Sequence, residues 1–148
     1  MDTKDKQILR ILQARADTPI AEIGEQVSLS INATWRRINL LTERVIREKV
    51  AILDQEAMGL DLTIFVSVKT SEHNEKWLKQ FSRGVANIEE VLEFHRLSGD
   101  IDYLLKVVAK DIADFDRVYK QIIKVAPLSD VSSAISMERI KYTTALPL

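Results

Sequence analysis

Apolar residues recur at helical spacing through the first third of the chain and at strand spacing through much of the rest. Ile8, Leu9, Ile11 and Leu12 share one face of a helix. Asp2 can cap that helix, with Asp5 three residues on, where a carboxylate favours the positive helix end. Thr18 followed by Pro19 reads as a cap and a proline at the first helical position. It opens a short helix over residues 19–27 that buries Ile20, Ile23 and Val27. Beyond Ser28 and Leu29, Ser30 is a natural cap for a third helix running to about Arg44. Three short helices, the last two separated by a turn of about three residues, are the layout of a helix-turn-helix.

After Val45 the period changes. Residues 45–54 and 61–70 alternate or run apolar as strands do, with Leu62, Ile64, Val66 and Val68 on one face. Residues 75–83 read as a helix, with Trp77, Leu78 and Phe81 as its apolar side. Residues 88–97 read as a strand, Ser98-Gly99-Asp100 as a turn, and residues 103–109 as a second strand. Residues 112–125 carry Ile112, Phe115, Val118, Tyr119, Ile122 and Ile123 at helical spacing, and residues 131–140 form the last strand. The order β-α-β-β-α-β is the split motif of a ferredoxin-like domain with an antiparallel sheet. The fold class expected is therefore α+β. A helix-turn-helix domain spans residues 1–46, a β-strand linker and hinge around Met58-Gly59-Leu60 spans 47–60, and a ferredoxin-like domain spans 61–148. The face of Leu62, Ile64, Val66 and Val68 is a candidate dimer surface, in competition with helix packing inside its own domain.

Geometry picks out the reading side of the third helix. At 100° per residue Thr34, Ile38, Leu41 and Val45 fall on one face and pack on the first two helices, while Asn32, Arg36, Asn39 and Glu43 point the other way. Ala33, Trp35, Arg37 and Leu40 lie on the flanks. The first half of such a helix enters the major groove, which singles out Asn32 and Arg36 as readers of base edges. An amide fits adenine and a guanidinium fits guanine. Ser30 and the free N–H groups of the first turn can hold a phosphate. The DNA-contacting set is thus Ser30, Asn32, Ala33, Trp35, Arg36, Arg37 and Asn39, with Trp35 equally able to lie over the first helix as core.

The net charge of −1 gives no global pull toward nucleic acid, so any DNA surface must be local. It is local: residues 28–49 hold five basic side chains against Glu43 and Glu48. A solvated pair is the plainer reading of Arg36-Arg37 outside a helix-turn-helix frame. The absence of cysteine excludes disulfides, thiolate metal sites and cysteine nucleophiles. His73 and His95 stand far apart, and no glycine-rich phosphate loop or nucleophile elbow exists, so neither metal, cofactor nor catalytic group is expected. The N-terminus lacks a signal-peptide core and no apolar run spans a bilayer, so a soluble, cytoplasmic protein without membrane attachment is expected.

Several stretches together resemble the Lrp/AsnC (leucine-responsive regulator, feast/famine) family. They are Asp5-Lys6-Gln7-Ile8-Leu9-Arg10-Ile11-Leu12-Gln13, Ala21-Glu22-Ile23-Gly24-Glu25-Gln26-Val27-Ser28-Leu29-Ser30, Thr34-Trp35-Arg36-Arg37-Ile38, Ala51-Ile52-Leu53-Asp54, Ser98-Gly99-Asp100-Ile101-Asp102-Tyr103-Leu104-Leu105 and Met137-Glu138-Arg139-Ile140-Lys141. The resemblance implies a transcription regulator that binds double-stranded DNA and responds to a small, amino-acid-type effector. It implies sheet-to-sheet homodimers that assemble into octamers, with effectors held between dimers. It also makes residues 99–103 the effector loop, so Gly99, Asp100, Asp102 and Tyr103 are the expected contacts. A carboxylate there suits an ammonium group, and glycine-turn amides suit a carboxylate. Gly99-Asp100 as a plain hairpin turn capped by Asp102 is the competing reading. The family often has paired threonines on the last strand; Val131 and Ser133 stand there, and Ser133 completes the expected effector set. The usual turn glycine is replaced by Ser28, which must tolerate or avoid a positive φ. Two other functions fit the same resemblance: a siroheme-decarboxylase-like enzyme, and an architectural DNA-binding protein that ignores effectors.

Overall fold

The computed structural model describes residues 1–148, which form two compact units. One comprises Met1–Ile52 with Ile140–Leu148, the other Leu53–Arg139.

The first unit is three helices: α1 (Thr3–Ala14), α2 (Ile20–Val27) and α3 (Ile31–Arg44). Each start is chemically marked. Asp2 and Asp5 form a reciprocal capping box, each carboxylate accepting the other's backbone N–H. Ser30 accepts from the Ala33 N–H. Helix α2 ends in two tightening bonds, Ser28 N–H to Glu25 and Leu29 N–H to Gly24, which close a Schellman-type turn with Ser28 left-handed at φ 55°, ψ 54°. Ile8, Leu9 and Leu12 of α1, Ile23 and Val27 of α2, and Ile38 and Leu41 of α3 make its core. The last residues of the chain lie along α1, where Gln13 both donates to and accepts from the backbone of Leu146, and Leu148 packs at the core's edge.

The second unit is a four-stranded antiparallel sheet with two helices on one side. Its elements are β1 (Leu62–Lys69), α4 (Glu75–Ala86), β2 (Val91–Arg96), β3 (Tyr103–Ala109), α5 (Ile112–Val125) and β4 (Asp130–Ile135), in sheet order β2-β3-β1-β4. This is the expected ferredoxin-like arrangement. Ile64, Val66 and Val68 lie opposite Val107, Leu105 and Tyr103 and are fully buried with Phe81, Val85, Val118 and Ile122. A bulge in β2 shifts the register between Val91 and Glu93, so that Val91 and Phe94 both join this core.

Three expectations change. Residues 45–54 form no strand; a strand needs a hydrogen-bonding neighbour, and within one chain none runs beside this segment. Strand β4 stops at Ile135, short of Ile140, because its pairing to β1 ends where Ile135 meets Ile64. The face of Ile64, Val66 and Val68 is no free dimer surface: it lies in the core beneath α4 and α5. The other side of the sheet carries Thr63, Phe65 and Ser67 of β1, Leu104 and Lys106 of β3, and Glu93 and His95 of β2. No helix of this unit covers it.

Candidate nucleic-acid interface and ligand loop

Helix α3 is gripped on its inner face and bare on its outer one. Thr34, Ile38 and Leu41 are buried. The Thr34 hydroxyl donates to the Ser30 carbonyl at 3.0 Å, which satisfies the one polar group in that stripe. Gly24 permits the close approach of α2: a Cβ there would stand 2.9 Å from the Leu29 carbonyl oxygen and 3.1 Å from the Thr34 hydroxyl. The glycine therefore lowers helix propensity but allows the turn to close. Val45, expected on the inner face, is instead exposed, since the helix has already ended at Arg44.

The outer face carries Asn32 and Arg36, both exposed, with Asn39 and Ala33 half-buried beside them. Arg36 has no ion-pair or hydrogen-bond partner in the chain, so its planar, five-donor head is available to an external acceptor. Trp35 is 53% exposed and Ile31 58%. The core alternative for Trp35 is thereby answered: its indole is on the surface. The Ser30 hydroxyl accepts from Ala33 yet keeps its own hydrogen to donate outward.

Arg37 behaves differently from its neighbour. Its Nη1 donates to Asp5 Oδ1 at 2.6 Å and to Asp2 Oδ2 at 2.7 Å, tying α3 to the first turn of α1. The Asp5 N–H foremost, and then the Arg37 guanidinium, hold the Asp2 carboxyl below the usual carboxylate range, while the Asp5 and Asp2 carboxylates push Arg37 still higher. Lys4, on the same turn, donates to the Val27 carbonyl at the end of α2. Sequence reasoning placed Asp2 and Asp5 as a local cap and missed their second role. The residue they bind is 32 to 35 positions away, and only an unexplained flank arginine hinted at it.

In the second unit the loop between β2 and β3 turns on Gly99, whose φ of +142° disfavours any side chain. Gly99 and Asp100 are exposed. Asp102 is a fastener: its carboxylate accepts from the Thr70 N–H at 2.9 Å, its own N–H donates to Val68 at 3.1 Å, and its carbonyl accepts from Leu97 at 2.8 Å. Tyr103 is buried, its ring centroid 5.5 Å from Phe81 and 5.7 Å from Trp77. Ser133 pairs with Val66 on β1, two positions along from the Val68 that faces Tyr103. Of the expected effector contacts, only Gly99 and Asp100 form one exposed tip. Asp102 and Tyr103 are built into the framework behind it, and Ser133 sits on a different strand. His95, at 3.2 Å from Glu93, shares that carboxylate with Lys106. Lys106 foremost, then His95, keep Glu93 below its ordinary value.

The AsnC-type helix-turn-helix domain matches residues 1–42 and the Lrp/AsnC ligand binding domain matches residues 63–146. The chain belongs to the Lrp/AsnC family. Among members of this family, the glutamate uptake regulatory protein of Zymomonas mobilis is 45% identical over 100% of the chain and 91% of its own length. A crystal structure of an AsnC family transcriptional regulator from Agrobacterium tumefaciens superposes with a TM-score of 0.96 at 49% identity, covering 99% of this chain and 97% of that one. A transcriptional regulator of Neisseria meningitidis in complex with L-methionine superposes with a TM-score of 0.94 at 30% identity, covering 99% and 96%. All three are named as regulators, and the enzymatic alternative finds no support among them.

Proposed function

We propose that this Lrp/AsnC chain is a sequence-specific transcription regulator that lays the outer face of α3 in the major groove and responds to an amino-acid-type effector. The observation that carries the reading is the unpaired, exposed Arg36 on a helix whose opposite face is locked by Thr34, Ile38 and Leu41. Asn32 and Arg36 read base edges, Ser30 holds a phosphate, and Ala33, Trp35 and Asn39 flank them. The effector meets the Gly99–Asp100 tip. A relative named for glutamate uptake and a structural neighbour holding L-methionine support an amino acid as its class. Two chains pair through the helix-free side of the sheet, and such dimers build an octamer. A cytoplasmic setting follows from the DNA partner; no helix is long and apolar enough to cross a membrane.

The test combines two measurements. Thermal-shift screening against the twenty amino acids identifies an effector, and anisotropy titrations with a duplex from the gene's own upstream region measure DNA binding. Arg36→Ala should cost about 1–3 kcal/mol at one base position. Equal losses on that duplex and on random DNA would refute base reading by Arg36.

A further inference from the structure

Two adjacent arginines on α3 have opposite surroundings. Arg36 is exposed and unpaired. Arg37 has 33% of its side chain exposed and is held by two carboxylates at 2.6 and 2.7 Å. One of these, Asp5, has only 16% of its side chain exposed. Both carboxylates are also fixed by the capping box, so they reach Arg37 from a pre-set geometry. Lys4 of the same helical turn holds the Val27 carbonyl where α2 gives way to the left-handed Ser28. The first turn of α1 thus grips the end of α2 with one side chain and the flank of α3 with two.

We infer that Arg37 is a positioning residue for DNA recognition and not a DNA contact: with Asp2 and Asp5 it sets the angle at which α3 presents Asn32 and Arg36. The physical ground is competition. A phosphate could recruit Arg37 only by displacing two charge-assisted bonds already made at short range. The vacated carboxylates would then be left without their counter-charge, on the same side of the domain as the phosphate. The same two acids, were they free, would repel DNA. Bound to Arg37 their combined charge is halved, from −2 to −1, and they serve as the anchor of the reading helix. The inference rests on the DNA-reading function proposed above and assigns one of its residues a different task.

The two roles predict opposite signs for the acidic partners. The full chain is titrated with a duplex enriched from a random-sequence pool and with an unselected duplex, each over a salt series. Four proteins are compared with the parent: Arg37→Gln, Arg37→Lys, the pair Asp2→Asn with Asp5→Asn, and Arg37→Gln combined with that pair. Asparagine still caps a helix, so the amide variants remove charge while keeping the start of α1. Circular dichroism melts check that each is folded, and the amide pair carries the test if Arg37→Gln does not fold. Positioning predicts that the enriched-to-unselected affinity ratio falls about tenfold in Arg37→Gln, by a similar factor in the amide pair, and no further in the combination. The salt slope stays that of the parent, and Arg37→Lys recovers part of the ratio. The inference is overturned if Arg37→Gln lowers the slope by about 0.9 while the amide pair tightens both duplexes, the signature of a phosphate contact released from its acids. If the parent enriches no duplex at all, it is the DNA-reading function that fails.

Discussion

The two units reach order by different means. The sheet unit buries fourteen residues in one cluster, with Trp77, Phe81, Phe94 and Tyr103 ring against ring at its centre, so area removed from water dominates. The helical unit has half as many buried core residues, none aromatic. It leans instead on placed polar groups: the Asp2–Asp5 box, the Arg37 clamp, Lys4 on Val27, Thr34 on Ser30 and the turn at Ser28. A small domain cannot bury enough apolar surface to define every helix angle, and hydrogen bonds with fixed direction supply what packing leaves loose. A reading helix needs an angle held to a fraction of a residue, which suits that solution. A domain that must only stay compact while a loop is exposed does not need it.

The largest expected effect lies in the aromatic core. Phe81→Ala should cost about 3–5 kcal/mol, since the ring is fully buried and its loss leaves a cavity among Trp77, Phe94 and Tyr103. Hydrogen exchange should then show protection lost across β1, β2 and β3 while amides of α1 to α3 keep theirs. Simultaneous loss in both units would break the comparison. Asp102→Ala should destabilise the sheet unit by about 1–3 kcal/mol because the Thr70 N–H loses its acceptor. Urea titration measures it, and an unchanged midpoint would return Asp102 to a purely effector-binding role.

A gain is expected in the helical unit. Ser28 holds a left-handed backbone that costs an L-residue about 1–2 kcal/mol, whereas glycine adopts it freely but loses more entropy on folding. Ser28→Gly should therefore raise stability by about 1 kcal/mol, and a lower melting temperature would show that the hydroxyl contributes more than the strain removes.

The smallest effect is acid sensitivity. Asp2 in the helical unit, and Glu90, Glu93 and Asp114 in the sheet unit, are held below their ordinary values. The first-ranking causes are the Asp5 N–H, the Arg117 side chain, the Lys106 side chain and the Lys110 N–H respectively. Depressed carboxyls give their full stabilisation above the unfolded values near pH 4 and lose it as pH falls toward the folded ones. Unfolding midpoints should be flat from about pH 7 to 5 and decline below about pH 4.5, by less than the core substitution costs because Asp2 and Glu93 are about half exposed and Glu90 and Asp114 pair with a half-exposed Arg117, so solvent screens these contacts. A midpoint that rises on acidification would contradict this.

Local signals were legible because their causes lie within a few residues. The caps at Asp2 and Ser30, the period of α3, the alternation of β1 and the glycine at 99 each depend on neighbours one to four positions away. The helix-turn-helix and the β-α-β-β-α-β order followed from them. The segment after Arg44 misled for the converse reason: its alternation is that of a strand, but a strand exists only beside a partner, and the chain offers it none. The shape of the loop between β2 and β3 was half legible. Spacing located the Gly99–Asp100 tip, but it could not tell that Asp102 turns toward Thr70 or that Tyr103 enters the aromatic cluster.

From its sequence alone this protein was bound to form a capped three-helix reading unit and a split β-α-β sheet, since hydrophobic period and capping chemistry act over a single turn or pair of residues. Tertiary structure alone decided which side of the sheet the helices would cover and which of two neighbouring arginines would be left free. Both outcomes depend on groups brought together from some thirty residues apart or more, such as Asp5 and Arg37 or Val66 and Leu105. Such pairs are selected by the packing of whole elements, and no local pattern encodes them.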